Sequence, residues 1–209
     1  MKQTLFFLAI LTLGLITACN NAPKGEKAAT TEAKEVATKS ASHTYSVTPG
    51  SQVMWTGSKV AGKHTGTIAV SGGNISTNNG VVTGGKFTID MASITCTDLK
   101  AGEGKEDLEG HLKAPDFFDA GVHPTATFEI TSVEGGNVTG NLTMKNITKS
   151  ITFPAKIAVM DKGVSVSSPD FTINRTDWGI KYGSASFFDG LKDKAINDNI
   201  GLQIKLRAS

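Results

Sequence analysis

The chain has few histidines, the residues that most often bind transition metals. The histidines are His43, His64, His111 and His123, and none stands two or four residues from another. Zinc sites usually draw on a cysteine pair or on closely spaced histidines. The sequence therefore predicts no metal site. We expect His111 and His123 to take part in hydrogen bonds to the backbone, at a helix end and at a turn.

Neither cysteine is expected to do covalent chemistry in the folded domain. Cys19 ends an apolar N-terminal segment, and Cys96 lies in a polar stretch with no base beside it in the sequence. A nucleophilic thiol needs such a base. If Cys19 is lipidated, Cys96 is the only thiol left and no intramolecular disulfide can form. Cys96 is predicted to be a small buried or loop residue.

No other combination of residues predicts catalysis. Gly102-Glu-Gly resembles a phosphate loop superficially, but it lacks the preceding strand and following helix that such a loop requires. Two carboxylates, for example Asp90 and Asp177, would support an enzyme only if they were buried together with a raised pKa. The sequence therefore predicts a protein that is not an enzyme and carries no cofactor.

The N-terminal segment has the features of an export signal. Lys2 precedes an apolar run over residues 5–16, which is too short to span a bilayer permanently. The run ends at Ile16-Thr-Ala-Cys19, which is similar to a bacterial lipobox; the alternative is a secretory signal that ends in a chance cysteine. We expect a signal peptide over 1–18 and acyl chains on Cys19. Since each buried methylene contributes ~0.8 kcal/mol, these chains would anchor the protein to a membrane of the bacterial cell envelope, on its periplasmic side or at the cell surface.

Composition divides the rest of the chain into a tether and one domain. Residues 20–42 are mostly Ala, Thr, Lys and Glu without an aromatic residue, so they cannot bury enough apolar area to offset the entropy lost on ordering. We predict a lipidated N-terminus and flexible tether over 19–42 and a single domain over 43–209.

The chain has a net charge of +2 and only two arginines. It therefore lacks the clustered basic surface that nucleic acids require, so DNA and RNA are excluded as partners.

From His43 onward the chain alternates between apolar and polar residues, as half-buried strands do. Gln52 to Gly57 and Thr65 to Val70 form one such pair, and the alternation returns through the last residues of the chain. We count about eight strands, and pairing of the last with the first would close an antiparallel barrel. The fold class is therefore predicted to be all-β.

One segment resembles a known family. It reads Leu108-Glu-Gly-His-Leu-Lys, then Asp116-Phe-Phe-Asp, then His123-Pro-Thr-Ala-Thr-Phe, and it is similar to the hallmark segment of YceI-like lipid-binding proteins. Segments starting at Phe87, Gly140 and Ile173 agree with the same family in order. The resemblance implies a lipocalin-like closed antiparallel barrel with a short helical insertion near 104–118. It also implies a long apolar cavity that holds a polyisoprenoid, such as the tail of an isoprenoid quinone or a prenyl carrier.

The residue pattern alone favours an ordinary packed core, whereas the resemblance implies a cavity between the apolar strand faces. The side chains expected to line that cavity are mainly aromatic: Trp55, Phe87, Phe117, Phe118, Phe128, Leu142, Phe153, Phe171, Trp178 and Phe188. Arg175 either meets a polar head group or pairs with a structural aspartate. The first hypothesis is thus a membrane-tethered protein that stores, carries or scavenges an isoprenoid lipid.

A second hypothesis is a solidly packed surface module whose loops contact protein or glycan. Exposed aromatic residues such as Trp178, Tyr182 and Phe187, in a connection rich in glycine and serine, would suit that role. The sequence leaves open the identity of a ligand, the membrane concerned and the oligomeric state.

Overall fold

Strands make up most of the protein, as the alternation predicts. The computed structural model describes residues 21–37 and 40–209. The strands are β1 Glu26–Lys27, β2 Ala29–Glu32, β3 His43–Ser46, β4 Gln52–Lys59, β5 Gly62–Asn78, β6 Val81–Asp90, β7 Thr95–Cys96, β8 Thr125–Glu134, β9 Asn137–Met144, β10 Ile147–Pro154, β11 Lys156–Met160, β12 Gly163–Ser167, β13 Phe171–Asn174 and β14 Asn199–Ala208. The helical elements are α1, Lys105–Lys113, and three short 3-10 helices, Met91–Ser93, Arg175–Trp178 and Lys192–Lys194. The expected signal peptide over 1–18 and the lipidation of Cys19 lie outside the described residues and stay predictions.

The strands form one nearly closed sheet. Its main order is β1-β13-β14-β4-β5-β6-β8-β9-β10-β2, and neighbouring strands pair antiparallel except β1 with β13. The last strand, β14, pairs with β4, as predicted, but this pairing lies within the strand order and does not close the barrel. The predicted class, an all-β barrel, is confirmed. The strand count exceeds eight in part because the short segments β3 and β7 each pair along the long strand β5.

The structure differs from the expected flexible tether at residues 26–32. β1 pairs with β13 and β2 pairs with β10, so this segment bridges the two ends of the strand order, although β1 and β2 do not pair with each other and the sheet stays nearly closed. Ala28, between the two short strands, is only 4% exposed and its N–H donates to the carbonyl of Thr172. The composition argument failed here because hydrogen bonds to two unpaired strand edges order this segment without a large apolar side chain.

The irregular segments that carry buried side chains lie at one end of the barrel. Residues 91–124 connect the end of β6 to the start of β8, and residues 175–198 connect the end of β13 to the start of β14. Because successive strands are antiparallel, both connections lie at the same end. Helix α1 falls within the predicted insertion, and Phe117 and Phe118 follow it as a buried pair.

Helix α1 covers this end with a mostly polar surface. It carries Glu106 and Asp107 in its first turn and His111 and Lys113 in its last, which suits the helix dipole. Of its residues only Leu112 is buried. Within residues 21–37 and 40–209, no helix is long and apolar enough to cross a membrane.

Candidate functional site: an apolar cavity inside the barrel

The inner faces of the strands enclose a cavity of about 150 Å³. Side chains from most of the long strands and from the 91–124 connection line it, and all of these residues are apolar or glycine. The pattern that placed them is the alternation along each strand, which sends every second side chain inward. Such a space has no charged or hydrogen-bonding partner to offer along most of its wall, so it suits a hydrocarbon.

A row of aromatic rings crosses the cavity wall from β6 to β13. The Phe87 and Phe128 rings lie directly opposite each other on paired strands, with centroids 6.5 Å apart. Phe128 is 5.7 Å from Phe153, and Phe153 stacks on Phe171 at 4.5 Å with an interplanar angle of 6°. The row ends at the two strands to which residues 26–32 pair.

Two glycines make room for rings in this wall. A side chain at Gly140 would collide with the ring of Phe128, and one at Gly66 would collide with the indole of Trp55 and the backbone of Thr95. Both rings therefore lie flat against a neighbouring strand. This close approach requires glycine.

Trp55 contributes the one unpaired polar group among the side chains that line the cavity. Its side chain is 8% exposed, and its Nε1 has no hydrogen-bond partner among the described residues. A buried N–H without a partner carries an uncompensated desolvation cost. The Nε1 atom is buried within the wall, and the surface of the cavity itself is apolar.

The structure places most of the predicted site residues around the cavity. Those that line it are Trp55, Phe87, Phe117, Phe118, Phe128, Leu142, Phe153 and Phe171. Contact of these side chains with a ligand stays a prediction. Sequence reasoning omitted many aliphatic neighbours on the same faces, including Ile68, Ile75 and Ile151, although the same alternation marks them.

Arg175 is buried and does not line the cavity. Of the two alternatives for this residue, its placement agrees with pairing to a structural aspartate. Its guanidinium donates to the carbonyls of Ile180, Ile196 and Asn197, at 2.8 to 3.2 Å, and to Asp198 Oδ1 at 3.3 Å. Burial lowers the pKa of Arg175, and the nearby Asp198 opposes that shift. These partners hold the cation behind the cavity wall.

Trp178 and Phe188 are also placed elsewhere than predicted. Trp178 is fully buried, but its Nε1 donates to the carbonyl of Leu142 at 3.0 Å and the ring is not part of the cavity wall. Phe188 is 51% exposed, because the glycine- and serine-rich connection carries it outside the barrel. Tyr182 and Phe187 are exposed as the second hypothesis requires, whereas Trp178 is not.

The histidines of the hallmark segment interact differently from the prediction. The imidazole Nε2 of His111 lies 4.0 Å from Asp116, and that of His123 lies 4.0 Å from Asp119. The hydrogen bonds at the helix end and the turn are made by main-chain atoms, from Ala114 N to His111 O and from His123 N to Asp119 O.

Sequence reasoning missed a polar cluster outside the cavity. His64, Cys96 and Asp98 come together where β7 pairs with β5. Burial alone would raise the pKa of Asp98, but hydrogen bonds from the Thr65 backbone, from Cys96 and from His64 outweigh it, so the pKa is lowered. A search for paired cysteines or neighbouring histidines cannot find this cluster, because His64 is distant from the other two in sequence.

Comparison with known sequences supplies a family. A model of the YceI-like domain matches residues 39–208. A UPF0312 protein of Staphylococcus aureus is 30% identical over 132 residues, covering 59% of this chain and 71% of that protein. A UPF0312 protein of Pseudomonas paraeruginosa is 35% identical over 72 residues, covering 32% of this chain; the match spans only 38% of that relative's own length.

Solved structures share the fold at low sequence identity. A polyisoprenoid binding domain from Saccharophagus degradans, implicated in plant cell wall breakdown, has a TM-score of 0.60 at 15% identity, covering 79% of this chain and 97% of that one. BcnA of Burkholderia cenocepacia has a TM-score of 0.56 at 20% identity, covering 76% and 96% respectively. With its barrel, its hallmark segment and the match over 39–208, the chain belongs to the YceI-like family.

Proposed function

We propose that this protein binds an isoprenoid lipid inside its barrel, such as a quinone tail or a prenyl carrier, and stores, carries or scavenges it without catalysis. The observation that carries the proposal is the cavity inside the barrel with an entirely apolar wall. Transfer of hydrocarbon from water into such a space contributes about 25 cal/mol per Å² of apolar surface. The polyisoprenoid binding domain from Saccharophagus degradans, a protein of the same fold, adds support.

The size of the cavity sets a condition on how a chain is bound. A dry space of about 150 Å³ holds a benzene-sized molecule, so a chain of several isoprene units must displace side chains. Beside the stacked rings of Phe153 and Phe171, the two ends of the sheet are bridged only by the short strands β1 and β2. Short pairings open at the lowest free energy, so the barrel expands there as the chain is bound.

The polar end of the ligand is proposed to lie against Trp55. Its Nε1 has no partner among the described residues but lies within the wall, so an oxygen acceptor on a quinone ring or a phosphate reaches it only as the wall expands around the ligand. Arg175, the candidate from the sequence, is unsuited because its donors already bind three carbonyls and Asp198. The head group therefore gains one directed bond while the tail is held by apolar contact alone.

Anchoring of the protein through Cys19 belongs to the same proposal. Asn21, two residues after Cys19, donates to the carbonyl of Val60 at the turn between β4 and β5. A surface cleft brings Asn21 beside Ala185, close in sequence to the exposed rings of Phe187 and Phe188. An acylated Cys19 would hold this end of the barrel against the bilayer of the cell envelope, with those aromatic side chains facing the lipid head groups.

Lipid extraction of the full chain, purified from a bacterial host, tests both parts of the proposal. Mass spectrometry of the extract should find an isoprenoid lipid, and the mass of the N-terminal peptide should show acyl chains on Cys19. Cys19→Ser should lose the acyl mass and keep the extracted ligand, because the cavity does not depend on the anchor.

The two tryptophans provide a matched fluorescence test of the ligand's position. Trp178→Phe leaves Trp55 as the only indole, and added menaquinone should quench it strongly. Trp55→Phe leaves Trp178, behind the wall, which should respond less, and it should bind menaquinone more weakly because the Nε1 donor is lost. A lipid-free protein in which neither variant responds to menaquinone would contradict the proposal and favour a module that acts through its exposed loop.

A further inference from the structure

A separate group of side chains outside the cavity has the donor set of a transition-metal site. Strand β7 pairs with β5 so that Cys96 lies opposite Gly66, and the next residue, Thr97, donates its N–H to Thr65 O at 2.9 Å. This pairing brings Asp98 beside His64. Backbone register therefore fixes the positions of all three potential ligands.

The potential ligand atoms of the three side chains already lie close to one another. Asp98 Oδ2 is 3.0 Å from His64 Nδ1, and Asp98 Oδ1 accepts from Cys96 Sγ at 3.2 Å. The nitrogen, sulfur and oxygen atoms all lie within 4.8 Å of one another. Asp98 Oδ1 also accepts from Thr65 N at 2.7 Å, which holds the carboxylate in place.

These separations match what a tetrahedral ion requires. Zinc bonds of roughly 2.0 to 2.3 Å to nitrogen, oxygen and sulfur set ligands about 3.3 to 3.6 Å apart. The contacts of 3.0 and 3.2 Å must open slightly, and the widest separation, which is within 4.8 Å, must shorten to the same range. Cys96 is fully buried, whereas the His64 and Asp98 side chains are 36% and 35% exposed, so the fourth position faces solvent.

We propose that His64, Cys96 and Asp98 bind one Zn²⁺-type divalent ion, with water as the fourth ligand. Imidazole and thiolate favour zinc and its neighbours over Mg²⁺ and Ca²⁺, which prefer all-oxygen sites. The ion replaces the proton of the Cys96 thiol, and that proton goes to solvent. No electron is transferred, so the step needs no oxidant or reductant.

The order of the contacts does not fit nucleophilic catalysis. In a cysteine–histidine pair the thiol gives its proton to the imidazole. Here the thiol donates to Asp98, and the carboxylate lies between it and His64. A carboxylate shared by a thiol and an imidazole suits joint ligation of an ion.

Cobalt titration of the full chain carrying Cys19→Ser tests the site, because Cys96 is then its only thiol. Binding of one Co²⁺ should produce the visible bands of tetrahedral cobalt, a sulfur-to-cobalt charge-transfer band in the near ultraviolet and release of the thiol proton. Zn²⁺ should abolish the bands by displacement.

Three variants on that background test which side chains hold the ion. Cys96→Ala should lose the charge-transfer band. Because Cys96 is buried, its removal can also disturb folding, so His64→Gln, at a partly exposed side chain, gives a second arm in which cobalt affinity should fall. His43→Gln removes an exposed histidine on β3 and should leave the spectrum unchanged. Absence of the bands in the parent, or an unchanged spectrum in Cys96→Ala or His64→Gln, would overturn the proposal.

Discussion

The Phe117 side chain separates two buried regions, an apolar cavity and the hydrogen-bonded network of Arg175. One side lines the cavity, where apolar residues surround about 150 Å³ of space. On the other side the guanidinium of Arg175 lies 5.6 Å from the ring centroid and binds three carbonyls and Asp198. Both regions are buried, but only the first contains unfilled space.

This difference predicts which residues of the barrel are structural and which contact the proposed ligand. A buried cation is costly unless hydrogen bonds and a counter-charge surround it, and Arg175 has both. An unfilled apolar space forfeits packing contacts, which a hydrocarbon ligand restores. We therefore expect substitutions on the Arg175 side to change stability most and substitutions on the cavity side to change binding most.

Arg175→Met should produce the largest loss of stability. It leaves three carbonyls and Asp198 without their shared donor, and removal of one partner from a buried ion pair costs about 3–5 kcal/mol. Urea unfolding followed by circular dichroism measures the change. Arg207→Met, at an exposed arginine on β14, should change the unfolding free energy by less than about 0.5 kcal/mol. Equal effects of the two variants would show that the Arg175 network is not structural.

Trp178→Phe should have an intermediate effect on stability. The variant removes the hydrogen bond from Nε1 to the carbonyl of Leu142 and leaves a void where the larger indole packed, which together cost about 1–3 kcal/mol. Trp55→Phe is the matched change on the cavity side, where Nε1 has no partner among the described residues, and it should cost less. A larger loss in Trp55→Phe, measured by the same urea unfolding, would break the distinction between the two sides.

Ala126→Leu should have the smallest effect on stability and a large effect on binding. Ala126 is 2% exposed and lines the cavity, so the added carbons fill existing space. We expect the unfolding free energy to change by less than about 1.5 kcal/mol, while menaquinone no longer quenches Trp55. Ala208 is similarly buried outside the cavity wall, so Ala208→Leu should overpack the structure, cost about 1–3 kcal/mol and retain binding. Retained quenching in Ala126→Leu would place the ligand elsewhere.

The strands and their inward-facing residues could be predicted because alternation is a property of the local sequence. Phe87, Phe128 and Phe153 alternate with polar residues, and a period of two assigns each to the inner face. Phe188 could not be placed in this way, since it lies in an irregular connection where no period applies. Residues 26–32 were missed for another reason: their order comes from partner strands more than a hundred residues away.

By itself the sequence determined the all-β class, the inward faces of the strands and the family, because alternation and short motifs are properties of neighbouring residues. Only the tertiary structure decided that Arg175 binds Asp198 behind the cavity wall. It alone brought His64 to Cys96 and Asp98. These contacts depend on the register between distant strands and on the paths of irregular connections, which no local pattern of side chains specifies.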